Sequence, residues 1–323
     1  VTSPGGLTAH HGHPSARALG PLVLTMILWG SAFSVSSLAL KHVGPQPAAA
    51  LRYSIAAVAM LAWLRFGRGA SEPVTPLTRR QWGWFALAGL IGIAIYNGLF
   101  FFGLSLAPAI DGSSIMPVMS PVFTAVLASV VARERPGPLR LGALALGLGG
   151  AVIFLFSGSV TAEYPQRLLG DAIFLAAAFC WAVYTLMGRR LMGMAEPFRV
   201  SAWAMTFGGL FLTLWAAPEL LTTDWTAVAP DFWLEILYLA LLPTAIGYAL
   251  YYGGVRDVGP TTASIMMFLV PISGASMAVL LLGQTLGPAQ LVGALTMAAG
   301  ALLAVLSTGA RVRWRGWRSV VAR

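Results

Sequence analysis

Ten stretches of this chain each run for about 20 residues with almost no charge, the length a helix needs to cross a bilayer. They fall at about 19–40, 47–66, 82–106, 110–132, 139–157, 168–188, 200–217, 232–253, 260–282 and 288–308. No soluble fold buries ten such segments. Only 10% of the 323 residues are charged and 58% are hydrophobic, against roughly 25% charged in soluble domains. The solvent of this chain is therefore lipid, and the reading is an all-α integral membrane protein. The first run imitates a signal peptide. It is long, lacks a clear cleavage site and is followed by nine similar runs, so it reads as a span.

The formal charge of +9 raises the possibility of a nucleic-acid partner, but the placement of the charges argues against one. With the N-terminus inside, the inner segments hold Arg17; Arg65, Arg68, Arg79 and Arg80; Arg133, Arg135 and Arg140; Arg189, Arg190 and Arg199; Arg256; and Arg311, Arg313, Arg315, Arg318 and Arg323. These are 17 of the 20 basic residues. Lys41 and Arg167 fall outside, and Arg52 lies within a span. Basic residues collect on cytoplasmic loops, so both termini are expected in the cytoplasm of a bacterial inner membrane. The basic tail at 309–323, with Trp314 and Trp317, reads as an anchor on anionic lipid. Residues 1–17, rich in Gly, Pro, Ser and His, read as a disordered cytoplasmic tail. The single cysteine, Cys180, allows no disulfide framework.

The chain echoes itself at an offset of about 150 residues. SIMPVMSPV at 114–122 returns as SIMMFLVPI at 264–272, so Pro121 matches Pro271. Gly103 matches Gly253, GALALGLGGAVI from Gly142 matches GALTMAAGALLA from Gly293, and Trp29 matches Trp181. The expected units are 18–158 and 168–308, with five spans each. Five is odd, so the second copy enters the membrane upside down. Inverted repeats of this kind build transporters with a site near the midplane. The fold expected is ten transmembrane helices as two inverted five-helix repeats around a central cavity. Interior prolines cost about 3 kcal/mol or more. Pro117, Pro121, Pro243 and Pro271 are candidate hinges, or ordinary membrane-helix prolines.

Ten spans in two halves, Trp29-Gly30 followed by Phe33, Arg52 near the start of the second span, and the two proline segments resemble the drug/metabolite transporter superfamily. Within it the chain is most similar to EamA-type exporters, and among those to bacterial aromatic amino-acid exporters. The resemblance covers about residues 18–308. It implies a basket of helices around a cavity and efflux of amino acids or small metabolites. A lipophilic-cation or multidrug exporter of the same superfamily is the alternative, and a channel a remote one.

The candidate cavity residues are those that lipid cannot satisfy. Trp29 and Trp181 sit midway along their helices, away from the interfacial belts that tryptophan favours. Their indole N–H groups need protein or water. Tyr96, Asn97, Tyr184 and Tyr248 raise the same need. Ser114, Met116, Met119, Met266, Met267 and Phe268 complete a mostly apolar lining for a small-molecule substrate. Arg52 either snorkels to the surface, pairs with Asp171 or Glu235, or holds a substrate carboxylate. Asp171 and Glu235 read as surface carboxylates favoured by helix dipoles. No acidic residue is expected at mid-membrane, which points to facilitated diffusion or exchange. The membrane spans hold no histidine or lysine to serve a serine nucleophile and no cluster of metal ligands, so neither an enzyme nor a cofactor is expected. The glycine-rich fifth and tenth spans read as packing struts. They also offer the contact for a weak homodimer, if the protein is not a monomer.

Overall fold

Five of the described helices begin at a proline, the residue whose missing N–H costs nothing in a first turn. In the computed structural model, residues 16–67, 77–132, 137–158, 161–191, 194–258 and 266–303 are described. The chain forms α1 Ala16–Ala39, α2 Pro45–Phe66, α3 Arg79–Leu104, α4 Ala109–Ala132 and α5 Pro138–Ser157. The second half forms α6 Arg167–Leu191, α7 Pro197–Thr222, α8 from Pro230 to Val258, α9 Leu269–Leu282 and α10 Pro288–Leu303. No strand occurs among the described residues. Seven helices are long and apolar enough to cross a membrane, and α5, α9 and α10 are shorter apolar helices. Thr78 and Gln81 close a reciprocal capping box at the start of α3. Gly283, at φ 63°, ends α9 in the left-handed conformation that glycine adopts freely. The tails, including Trp314 and Trp317, and Ser264 and Ile265 lie outside the described residues.

The packing shows the two inverted repeats. The first helix of each half lies against the fourth of the other, α1 on α9 and α6 on α4. The same exchange relates α1 on the C-terminal part of α8 to α6 on the C-terminal part of α3. The mates α2 and α7 pack on one another and share a hydrogen bond of 2.8 Å between the hydroxyls of Ser54 and Thr213. Lipid tails are as apolar as leucine, so helices here associate through close fit rather than by escaping water. Glycine supplies that fit. A Cβ on Gly30 of α1 would stand 2.6 Å from the backbone nitrogen of Gly274 in α9.

The glycine stripes of α5 and α10 meet within the chain. A Cβ on Gly150 would lie 2.4 Å from the nitrogen of Met297, and one on Gly300 would lie 2.4 Å from that of Gly147. They are struts at the rim, and Leu141, Leu148, Phe156, Val292 and Leu295 face outward from them. An even number of crossings brings both ends of the described chain to one face of the bundle, the terminal face. The loops at 40–44, 105–108, 161–166, 223–229 and 283–287 make the far face.

Candidate functional site

Two helices carry a widened turn at matching places. Leu90–Ile95 of α3 and Ala240–Ile246 of α8 are π-helical, 150 residues apart. Each such turn inserts a residue and leaves carbonyls for other partners, often at functional sites. Pro243 explains the second. It has no N–H, and the carbonyl four residues back, Leu239, instead accepts the Thr244 hydroxyl at 2.7 Å. At the equivalent positions Ile93 and Pro243, the carbonyls accept side-chain N–H groups. Asn97 Nδ2 donates to Ile93 O at 2.8 Å, and Trp29 Nε1 donates to Pro243 O at 2.9 Å. Tyr53 donates its hydroxyl to Asn97 Oδ1, which fixes that amide.

Between the halves lies a cavity lined by residues of both repeats, the place where transporters built from inverted repeats hold their substrates. Its wall is rich in aromatic rings. Trp29 and Trp181 meet edge to face with centroids 6.3 Å apart, across the pseudo-twofold axis. Tyr96 lies 5.1 Å from Trp181, and Tyr248 lies 5.7 Å from Trp29. Asn97, Met116 and the prolines Pro117 and Pro243 also line it.

Arg52 lines the same cavity and is 6% exposed, so it does not snorkel. Neither of its two expected partners is beside it. Asp171 stands by Arg167, and Glu235 stands 3.9 Å from His42. Arg52 Nε donates to the Thr244 hydroxyl at 3.1 Å, and Nη1 to the Ser36 hydroxyl at a long 3.4 Å. Its charge lies near the rings of Tyr53, Phe100 and Phe101, at 5.0, 5.8 and 5.9 Å. Such contacts contribute about 0.5–2 kcal/mol each, well short of the several kcal/mol a buried ion costs. Nη2 has no protein partner among the described residues. Among the described residues no carboxylate lines the cavity there.

Several candidates lie elsewhere. On α4 the face made by Met116, Pro117 and Ser120 turns to the cavity. Ser114 and Met119 sit about a third of a turn to either side of it. Both are buried, and Ser114 donates to Ile110 O at 2.7 Å. Tyr184 is buried behind Trp181, against Gly92. Met266 and Phe268 pack on the core, and Met267 takes the lining position. The reason is local. Residues 267–268 form a turn before α9, so a helical face cannot be read through them. Phe33, Phe100 and Ser120 line the cavity unforeseen. Each lies one helical turn after a foreseen residue, and that spacing was signal enough. Ala32, Tyr53 and Val270 complete the lining.

The prolines behave unequally. α4 remains helical through Pro117 and Pro121. Hydroxyls of Ser120 and Thr124 bond carbonyls nearby, at 2.6 and 2.8 Å. Pro271 falls in the first turn of α9, four residues after the Met267 turn that its ring and missing N–H account for. Neither Pro121 nor Pro271 lines the cavity.

Two acids near the far-face ends of their helices are covered by protein rather than open to the surface. Asp111 of α4 and Asp171 of α6 are wholly buried. Asp171 is no surface carboxylate, because the neighbouring helices cover it. Asp111 escaped notice because it opens its span beside a loop.

The model of the EamA-like transporter family matches this chain twice, over residues 18–156 and 168–306. A probable terminal-alkyne amino-acid exporter of Streptantibioticus cattleyicolor is 28% identical over 288 residues, 89% of this chain and 93% of that protein. A probable amino-acid metabolite efflux pump of Salmonella typhimurium is 27% identical over 311 residues, 90% of this chain and 95% of that protein. An uncharacterized transporter of Archaeoglobus fulgidus is 25% identical over 251 residues, 78% of this chain and 84% of that protein. One solved crystal structure superposes with a TM-score of 0.60 at 21% identity, over 90% of this chain and 98% of that one, a likeness of fold.

Proposed function

Since the chain belongs to the EamA-like transporter family, we propose that it exports amino acids with aromatic or other apolar side chains, or similar small carboxylates, by alternating access. The observation that carries this reading is Arg52, a buried guanidinium facing an aromatic cavity with no carboxylate beside it. A substrate carboxylate supplies the missing charge and pairs with the open Nη2 edge. The rings of Trp29, Trp181, Tyr96 and Tyr248 take the apolar side chain, and their faces attract the substrate ammonium. The same positive charge disfavours a lipophilic cation, the alternative substrate class. Names of two relatives point the same way. The terminal face is the cytoplasmic one, in a bacterial inner membrane, and the proline-marked turns of α4, α8 and α9 serve as hinges.

The test is counterflow in proteoliposomes with labelled phenylalanine and tryptophan, their decarboxylated amines and a quaternary ammonium. Saturable flux of the amino acids alone is expected. Arg52→Gln should weaken their apparent affinity by about 30-fold or more, the scale of a truncated buried charge pair. Flux of the amines or the quaternary cation, undiminished in Arg52→Gln, would transfer the protein to the alternative class.

A further inference from the structure

We propose that Asp111, Arg167 and Asp171 form a proton-binding site, in which Asp171 carries the proton and thereby holds the far-face ends of α4 and α6 together. The site lies outside the cavity, which none of the three lines.

The geometry is that of two acids and one base. Arg167 binds Asp111 through two hydrogen bonds, Nε to Oδ2 at 2.6 Å and Nη2 to Oδ1 at 2.9 Å. That paired arrangement neutralises one carboxylate and satisfies both its oxygens. Asp171 is left over. Its Oδ2 stands 3.9 Å from Arg167 Nε, too far for a hydrogen bond, and neither of its oxygens has a donor among the described residues. It is 0% exposed. The charged groups facing it are Asp111 from α4 and Arg167 from α6 itself. Gly103 and Ala107 approach from the α3 side through Gly170 and bring no charge. A buried ionised carboxylate with no donor costs several kcal/mol. Two carboxylates sharing one cation relieve that cost by keeping a proton. A protonated Asp171 is neutral and gains an O–H that can donate to Asp111. Once the proton leaves, two negative charges face one guanidinium, and α4 and α6 are pushed apart.

The contact reaches the transport path. Asp111 begins the helix whose Met116, Pro117 and Ser120 line the cavity. Phe174, one turn beyond Asp171, is wedged where a Cβ on Gly103 or Gly112 would stand 2.6 or 2.8 Å from its ring. No slack exists there to absorb a change in spacing.

Infrared difference spectroscopy of the purified full chain between about pH 5 and pH 9 tests the site without any substrate. The expected result is a protonated-carboxyl band that titrates away in the wild type. Asp171→Asn and Asp111→Asn should each abolish it, since either leaves one carboxylate for one guanidinium. A wild type without the band, or a band that survives in both variants, overturns the proposal. A band displaced by sodium at fixed pH also overturns it, in favour of a metal-cation site. Hydrogen exchange of residues 109–115 and 167–174 reads the mechanical consequence. At alkaline pH these segments should exchange about tenfold faster in the wild type than in Asp171→Asn, which has no proton to lose, with no difference at acid pH. Equal exchange at both pH values would remove the coupling between α4 and α6.

Discussion

Trp29 and Trp181 occupy equivalent places in the two halves, yet their indoles meet different surroundings. Trp29 Nε1 is held by the Pro243 carbonyl at 2.9 Å. Trp181 Nε1 has no protein partner among the described residues, and its ring lines the cavity. The two should therefore respond differently to one substitution. Trp29→Phe removes a hydrogen bond between α1 and the π turn and should lower stability by about 0.5–1.5 kcal/mol, read as a fall in Tm. Trp181→Phe breaks no internal bond. It should leave Tm unchanged while raising the apparent KM in counterflow by about five- to tenfold, one lost hydrogen bond to substrate. Equal losses of Tm in both would place both indoles in the packing alone. At this scale the residue types that needed a cavity are legible along the chain, but their partners are not. Arg52 admits three readings because its partner, Thr244, lies 192 residues away. Met267 could not be told from Met266 and Phe268 because the turn before α9 has no helical period.

Among the elements, the matched π turns in α3 and α8 have the largest consequence. Pro243 was readable as a break, but the form of the break was not, since it depends on Thr244 taking the Leu239 carbonyl. Its mate in α3 contains no proline at all, so no local signal marked it. Pro243→Ala restores the N–H and removes the ring clash, an interior penalty of about 3 kcal/mol. The turn should then tighten toward an α-helix. Losing one inserted residue rotates the helix before the turn by about 100° relative to the helix after it, and this would part Thr244 from Arg52 or Tyr248 from Trp29. The variant is expected to unfold at a higher temperature and to transport more slowly, with KM raised. A lower Tm with normal transport would show that the π turn is only tolerated. The crossings of α1, α4 and α9 are equally specific. Gly30→Leu should destabilise the protein, since a Cβ there meets backbone at 2.6 Å, and overpacking costs about 1–3 kcal/mol or more.

For the molecule as a whole, the inversion was legible because five is odd and the copies kept their glycines, prolines and tryptophans in register. The mutual packing of α5 and α10 was not legible, because a small-residue stripe does not name its partner. Orientation rests on a separate physical ground. Seventeen of the 20 basic residues lie on the segments assigned to the terminal face, and moving so many charges across a membrane during insertion is opposed both by their desolvation and by the anionic inner leaflet. The prediction uses Cys180, the chain's only cysteine, replaced by serine as a blank background. Single cysteines at Ser105 and Thr226 stand on the far face, and others at Arg80 and Glu196 stand on the terminal face. A membrane-impermeant maleimide added to intact cells should label the first two within minutes and the others only after the membrane is opened. Labelling of Glu196→Cys in intact cells would reverse the insertion, and with it the direction of transport proposed above. Labelling of Ser105→Cys and Glu196→Cys together would break the count of spans between them, and with it the inverted relation of the halves.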